Sequence, residues 1–386
     1  MRRLARVSIA AVLVAAAACG GERDNAADWF PSTSTPDAAT TPPPTFSGVV
    51  PTFAPSDAPA DTLQVLRVFG DASAFGYIAD MEARETGLFV ADVVMSPHLI
   101  LIDLETGEIR NRFGANGFGP GEFRSPNWIS PHPDDPSLAW IFDPSTHRMA
   151  LVDPDAPRQD ATLTQFTLQV GMPIDRPVWI GRRLLSGGLF PDFTLVLMDE
   201  QGVPIERIAA NPPYTAAEIS HTVGRALLNR NFTAPAPSRE RIALVYQYSS
   251  RVDFFTSAGE HYGTVNGPRA TRASYRIWND RFFWEADNEM AYWSVTATDR
   301  YVYALFCGCR FEDEEVPTVM HVFDWSGNFV GEFELGVPVT AIEVTNDDRT
   351  LYGAIQDPFP RFGEWALPAW LSSPDEASGS IAYETP

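Results

Sequence analysis

The run Arg112-Phe113-Gly114-Ala115-Asn116-Gly117-Phe118-Gly119-Pro120-Gly121-Glu122-Phe123-Arg124-Ser125-Pro126 decides how this chain is assembled. Four glycines and a proline fall between Gly114 and Glu122, giving a backbone able to visit positive φ, while Phe113 and Phe123 offer apolar anchors at the flanks. Runs that read as β-strands lie on either side. A joint of this kind suits sheets chained side by side and says nothing of chemistry.

Outward from the joint, one signal recurs five times: a hydrophobic strand runs into a turn and a second strand follows. The turns begin at Asp103, Asp153, Asp199, Thr256 and Asp324, and glycine follows at Gly107, Gly202, Gly259 and Gly327. Asp or Thr hydrogen-bonds its own turn, and glycine accepts positive φ. Successive turn starts are 50, 46, 57 and 68 residues apart, too far for leucine-rich or helical-hairpin repeats and close to one four-stranded propeller blade. β-Branched and aromatic strands precede each turn, among them Leu88–Ala91, Ala139–Phe142, Ile242–Tyr246 and Tyr301–Phe306. A sixth unit starts at Ala341–Val344 and continues through Leu351–Ile355, and the chain ends before its outer strands are complete. The alternating run Leu63–Phe69 is an orphan strand able to pair into that last blade and protect its open edge.

The quoted joint resembles the inter-blade connector F-G-x-x-G-x-G-P-G-E-F-x-x-P of NHL-type and related bacterial six-bladed β-propellers, the NHL/TolB-like group. Repeat and resemblance together predict an all-β fold: a six-bladed β-propeller of four-stranded antiparallel blades, its ring closed by an N-terminal strand. A seventh blade remains open if an irregular stretch hides one.

At the N-terminus, Arg2, Arg3 and Arg6 precede an apolar run from Val7 to Ala18. This is the charged region and short hydrophobic core of an export signal, too short to cross a bilayer. It ends Ala16-Ala17-Ala18-Cys19-Gly20, which resembles a bacterial lipobox, although Ala16 stands where leucine or valine is usual; the alternative is an ordinary secretory signal cleaved nearby. The resemblance implies a signal peptide over 1–18, lipid attachment at Cys19, and a lipoprotein held at the bacterial cell envelope, on the outer membrane. The Pro, Thr, Ser and Ala composition of 19–60 reads as a disordered tether, and 61–386 as the propeller domain.

The formal net charge is −22 and lysine is absent. Such a charge argues against nucleic acid and against an anionic lipid surface, since both need cations. The membrane is therefore reached through the N-terminal lipid alone, and a monomer is expected.

Two stretches break the blade rhythm. In 211–238, Thr215-Ala216-Ala217-Glu218 fits a capping box with a short helix to follow. In 268–293, Arg272, Tyr275, Arg276, Trp278, Arg281 and Trp284 cluster within an acidic protein. Guanidinium groups grip carboxylates and flat rings stack on apolar faces, so these six are candidate ligand-binding residues. The alternative is that Tyr275, Trp278, Phe282 and Trp284 belong to the inner strands of a blade.

Cys307 and Cys309 share one face of a strand, which permits a strained disulfide or buried thiols. With His321 on the adjacent strand they offer three ligands to zinc or copper, without a fourth, so no metal and no cofactor is assigned. Catalytic motifs are missing: there is no G-x-S-x-G elbow and no H-x-x-x-H pair. Carboxylates gathered by folding leave no such trace. The sequence thus favours a non-enzymatic scaffold binding an envelope protein or small ligand, with a metal-dependent propeller hydrolase or lactonase as the alternative.

Overall fold

The computed structural model describes residues 60–208, 221–271, 273–313, 315–356 and 359–372. The signal peptide, Cys19, the tether up to residue 59, the Thr215–Glu218 capping box and Arg272 lie outside the described residues.

Six four-stranded antiparallel sheets follow one another around a ring. Blade 1 runs from Ile78 to Phe113, blade 2 from Trp128 to Thr167 and blade 3 from Ile174 to Ile208. Blade 4 runs from Asn231 to Asn266 and blade 5 from Glu289 to Glu334. Blade 6 takes three strands from Val339–Val344, Thr350–Gln356 and Pro360–Ala366, and its fourth, Val65–Phe69, from the N-terminus. That strand pairs antiparallel with Pro360–Ala366, Phe69 standing opposite Phe362, so the last blade interlocks the two ends of the chain. Ala60–Thr62 then adds a parallel fifth strand to the outer edge of blade 5, a pairing its three polar and small residues gave no reason to expect.

Each of the five turns read from the sequence joins the third and fourth strands of a blade. At Asp324 the carboxylate accepts from the amides of Ser326 and Asn328 at 2.9 and 2.8 Å. Asp199 does the same for Gln201 and Val203. In all five blades the register shifts next to this turn, just before the third strand ends, so one bulge recurs with the repeat. Blade 6 lacks the turn because its fourth strand arrives from the other end of the chain.

The core is divided among the gaps between blades. Phe89, Leu101, Phe113, Phe123 and Ile141 fill the gap between blades 1 and 2, and Phe232, Phe254, Phe306 and Phe323 that between blades 4 and 5. Trp365, fully buried, anchors the gap between blades 5 and 6 and donates its indole N–H to the Leu335 carbonyl at 3.2 Å. The Gly114–Glu122 joint crosses from blade 1 to blade 2 with Phe113 and Phe123 both buried, as anchors should be. Glu122 folds back to accept from the Gly119 amide at 2.8 Å. A Cβ at Gly117 would lie 2.0 Å from the Glu122 carboxylate, so a side chain cannot stand there without displacing that bond.

Because Val65–Phe69 covers the edge of blade 6, a chain beginning at Gly70 exposes an unpaired strand and loses the interlock. It is expected to elute as oligomers on size exclusion and to unfold at a lower temperature than the full chain. A monomeric truncation with an unchanged melting temperature would show that the closing strand contributes nothing.

Candidate functional site

All six inner strands run in the same direction, from a face we call upper, to which the turns between second and third strands also return. Their inward side chains meet along the axis, where the centre is taken by Arg176 from blade 3. Its guanidinium lies 4.6 Å from the centroid of the Trp128 ring in blade 2 and 5.0 Å from that of Phe232 in blade 4. Nη1 donates to the Val295 carbonyl of blade 5 at 3.1 Å. Arg176 itself has φ of 49°, in a stretch where the register slips between Asp175 and Val178, and its carbonyl accepts from the Thr233 hydroxyl. Left-handed backbone costs an ordinary residue on the order of 1 kcal/mol. It turns a strand residue into the occupant of the axis.

Asp80 and Glu343 act on this cation, with Asp175 beside it, and Glu82 adjoins the first two. Asp80 and Glu82 come from the inner strand of blade 1 and Glu343 from that of blade 6. Burial pushes Asp80 up to about 7, against the pull of Arg176 and of the Ile129 amide, which donates to Oδ2 at 2.7 Å. Burial likewise raises Glu82 to about 7, though Arg84 bonds it at 3.2 Å. Glu343 reaches about 8, again through burial, with Asp80 and Glu82 adding repulsion and the Thr296 hydroxyl donating at 2.7 Å. Arg176 thus meets acids that hold protons near neutrality. Among the described residues, no three His, Cys, Asp or Glu side chains are grouped to hold a metal ion.

At the upper mouth the surroundings turn aromatic. The Tyr77 phenol of blade 1 is hydrogen-bonded to the Trp293 side chain of blade 5, and burial raises its pKa despite Arg230 and Arg176 nearby. Arg230 of blade 4 pairs with Asp175 of blade 3 at 3.1 Å. Tyr248, in the upper turn of blade 4, is pushed by burial up to about 12 against Arg230.

On this rim sits the stretch singled out from the sequence. Tyr275–Trp278 and Arg281–Trp284 form a separate two-stranded hairpin between blades 4 and 5, which corrects the alternative that these aromatics are inner strands of a blade. Asn279 and Asp280 turn it with φ of 48° and 58°, the left-handed pair of a tight hairpin turn. Residues opposite one another share a face. Tyr275, Ile277, Phe282 and Trp284 therefore form one side, and Arg276, Trp278, Arg281 and Phe283 the other. The first side is seated by Trp284, whose ring lies 4.2 Å from Tyr248 and 5.8 Å from Phe311. On the second side Trp278 is 65% exposed, Arg281 is exposed, and Arg276 bonds Glu285 at 3.3 Å.

The other irregular stretch meets the same hairpin. A helix over Thr222–Leu228 begins at His221, whose Nδ1 accepts from the Gly224 amide and whose Nε2 lies 2.9 Å from the Asp280 carbonyl at the hairpin tip. Both insertions therefore converge on the upper rim.

Cys307 and Cys309 are bridged. His321 stands apart from them, opposite Ala304. Its buried ring bonds the Tyr292 hydroxyl at 3.2 Å and Glu332 at 3.2 Å and stacks 4.4 Å from Phe306. Sequence reading missed Arg176 and the acids of the axis. The alternation Asp80-x-Glu82-x-Arg84, in a stretch not read as a strand, was a sign that an inner face is polar.

Because the folded ring holds Asp80, Glu82 and Glu343 protonated above their unfolded values near 4, the native state binds more protons between about pH 4 and 8. Their contribution to stability is complete below that window and lost as pH rises through it. Glu343→Gln keeps a neutral group at the site. The variant's stability relative to the parent is expected to rise by about 3 kcal/mol between pH 5 and pH 8, read from urea unfolding at each pH. A difference independent of pH would mean that Glu343 is already ionised in the ring.

No family model and no curated protein matches the sequence. Among solved structures, a candidate exported protein of Bacteroides fragilis superimposes with a TM-score of 0.52 at 10% identity, over 80% of this chain and 98% of that one. U3-55K aligns with a TM-score of 0.48 at 10% identity, over 78% and 98%. The Cps50 (Swd1) β-propeller domain of Myceliophthora thermophila aligns with a TM-score of 0.45 at 13% identity, over 79% and 100%. At these identities the likeness to the Bacteroides protein concerns the fold alone: this chain is a six-bladed β-propeller.

Proposed function

We propose that this chain is a non-enzymatic binding scaffold of the bacterial cell envelope, an NHL/TolB-like lipoprotein attached at Cys19, which recognises an envelope protein through the hairpin on its upper rim. The observation that carries the reading is the split character of Tyr275–Trp284. One side is held on the ring by Tyr248 and Phe311, while the other presents Trp278 and Arg281 to solvent. Tryptophan and arginine are among the residue types most enriched at the hot spots of protein interfaces. Lipid attachment and export rest on the N-terminal sequence alone. The hydrolase alternative draws less support, since the axis is taken by the Arg176 guanidinium.

Crosslinking in cells, followed by affinity purification and mass spectrometry, is expected to recover a stoichiometric partner from the full-length protein. Trp278→Ala/Arg281→Ala should lose that partner while its melting temperature stays within about 1 °C of the parent, as exposed substitutions usually do. Cys19→Ala should lose it through release from the membrane. Recovery of the same partner by the hairpin variant would remove the hairpin from the interface. Failure to recover any partner with any crosslinker length would overturn the scaffold reading.

A further inference from the structure

Cys307 and Cys309 lie where the second strand of blade 5 leaves its regular pairing. Met290 stands opposite Cys309 and Tyr292 opposite Phe306, so three steps on one strand face two on the other. The extra residue forms a bulge, and Gly308 takes φ of 60° within it. The bulge turns both sulfurs to one side, with the Cα atoms 5.0 Å apart, inside the range a disulfide spans. Cys309 is buried with Tyr248 and Met290, whereas Cys307 is only half-buried and Gly308 is exposed. Trp284, Trp293 and Phe311 pack against that same cluster. The bridge therefore closes the floor on which the hairpin rests, and Cys307 is the more exposed of its two residues.

We infer that Cys307–Cys309 is a thiol–disulfide exchange site, reduced by dithiols, whose redox state sets how firmly the Tyr275–Trp284 hairpin is seated. A thiolate of the dithiol attacks Sγ of Cys307, the less buried of the two cysteines. The Cys307–Cys309 bond breaks, and Cys309 leaves as a thiolate and takes a proton. The second thiol of the reductant then attacks the mixed disulfide and releases Cys307 as a thiol. Two electrons pass to the protein, and the dithiol departs as its own disulfide. Opening the bridge frees the bulge, and with it the packing of Met290, Tyr248 and Phe311 on which Trp284 lies. The inference concerns how the hairpin is held and stands whether or not the hairpin binds a partner.

The test uses the purified full-length chain, oxidised, treated with dithiothreitol without denaturant, then alkylated or exposed briefly to trypsin, with mass spectrometry locating each site. Alkylation of both Cys307 and Cys309 is expected in the folded protein. Cleavage after Arg276 and Arg281 should quicken about tenfold, since susceptibility follows the population of the opened segment, while cleavage elsewhere in the ring is unchanged. Cys307→Ser/Cys309→Ser should show the faster cleavage with or without dithiol. Alkylation at these cysteines only after unfolding would overturn the exchange site. Reduction that leaves hairpin cleavage unchanged, or raises cleavage equally across all blades, would overturn the coupling to the hairpin. If the double variant does not fold, reduction of the native chain decides both points.

Discussion

The ring closes around the guanidinium of Arg176. Six blades leave an axial space, and the side chains that reach it must either fill it or hold water there. Here a cation from blade 3 lies against aromatic faces from blades 2 and 4 and donates to a backbone carbonyl in blade 5. It also attracts acids from blades 1 and 6. A buried guanidinium is tolerated only where such partners surround it. Burial lowers its pKa, with Asp80 and Asp175 acting the other way. The arrangement ties the inner strands to one another where no hydrophobic gap between neighbouring blades can reach. It also explains the left-handed backbone at Arg176: without it the side chain would follow the strand's alternation into the gap between blades.

How the acids respond follows from the same crowding. Burial disfavours ionisation of all three acids and their mutual repulsion adds to it, so the protons that Asp80, Glu82 and Glu343 retain near neutrality reduce the charge the axis must bear. Titration there belongs to the cluster and not to any one acid, because each carboxylate feels the others. The lower face is built differently. Asp348 accepts from Thr298, Tyr303 and Arg300 at 2.6 to 2.7 Å, locking blades 5 and 6 together in a fully partnered network.

Much of this architecture was legible in the residues because it is local. An Asp or Thr that bonds its own turn and a strand before it, with a glycine three or four residues on in four of the five turns, make up a complete instruction for the outer half of a blade. The orphan strand at Val65–Phe69 was legible for a complementary reason: a sixth blade short of a strand and a strand short of a blade imply each other. The hairpin was legible only as chemistry. Its aromatics and arginines stood out, but nothing in Tyr275–Trp284 alone says whether it pairs within a blade or by itself. That was settled by Tyr248 and Phe311, which lie on two other blades. Arg176 was hidden for the same reason, since Trp128, Phe232 and Val295 are brought to it only by closure of the ring.

The division between ring and rim bears on where recognition can reside. The inner and middle strands of the blades are packed on both faces, and a core residue exchanged within them disturbs a filled gap. The helix from Thr222 and the hairpin from Tyr275 touch the ring along one side only and touch each other through His221 and Asp280. Side chains on their outer surface are free of packing duties, so Trp278 and Arg281 are not held there by the core. A large aromatic side chain kept in water, on a turn stiffened by two left-handed residues, forgoes a burial that the fold could have supplied. A rigid ring carrying that exposed side chain on a braced hairpin is preorganised for contact, because little conformational freedom remains to be lost when a partner covers it.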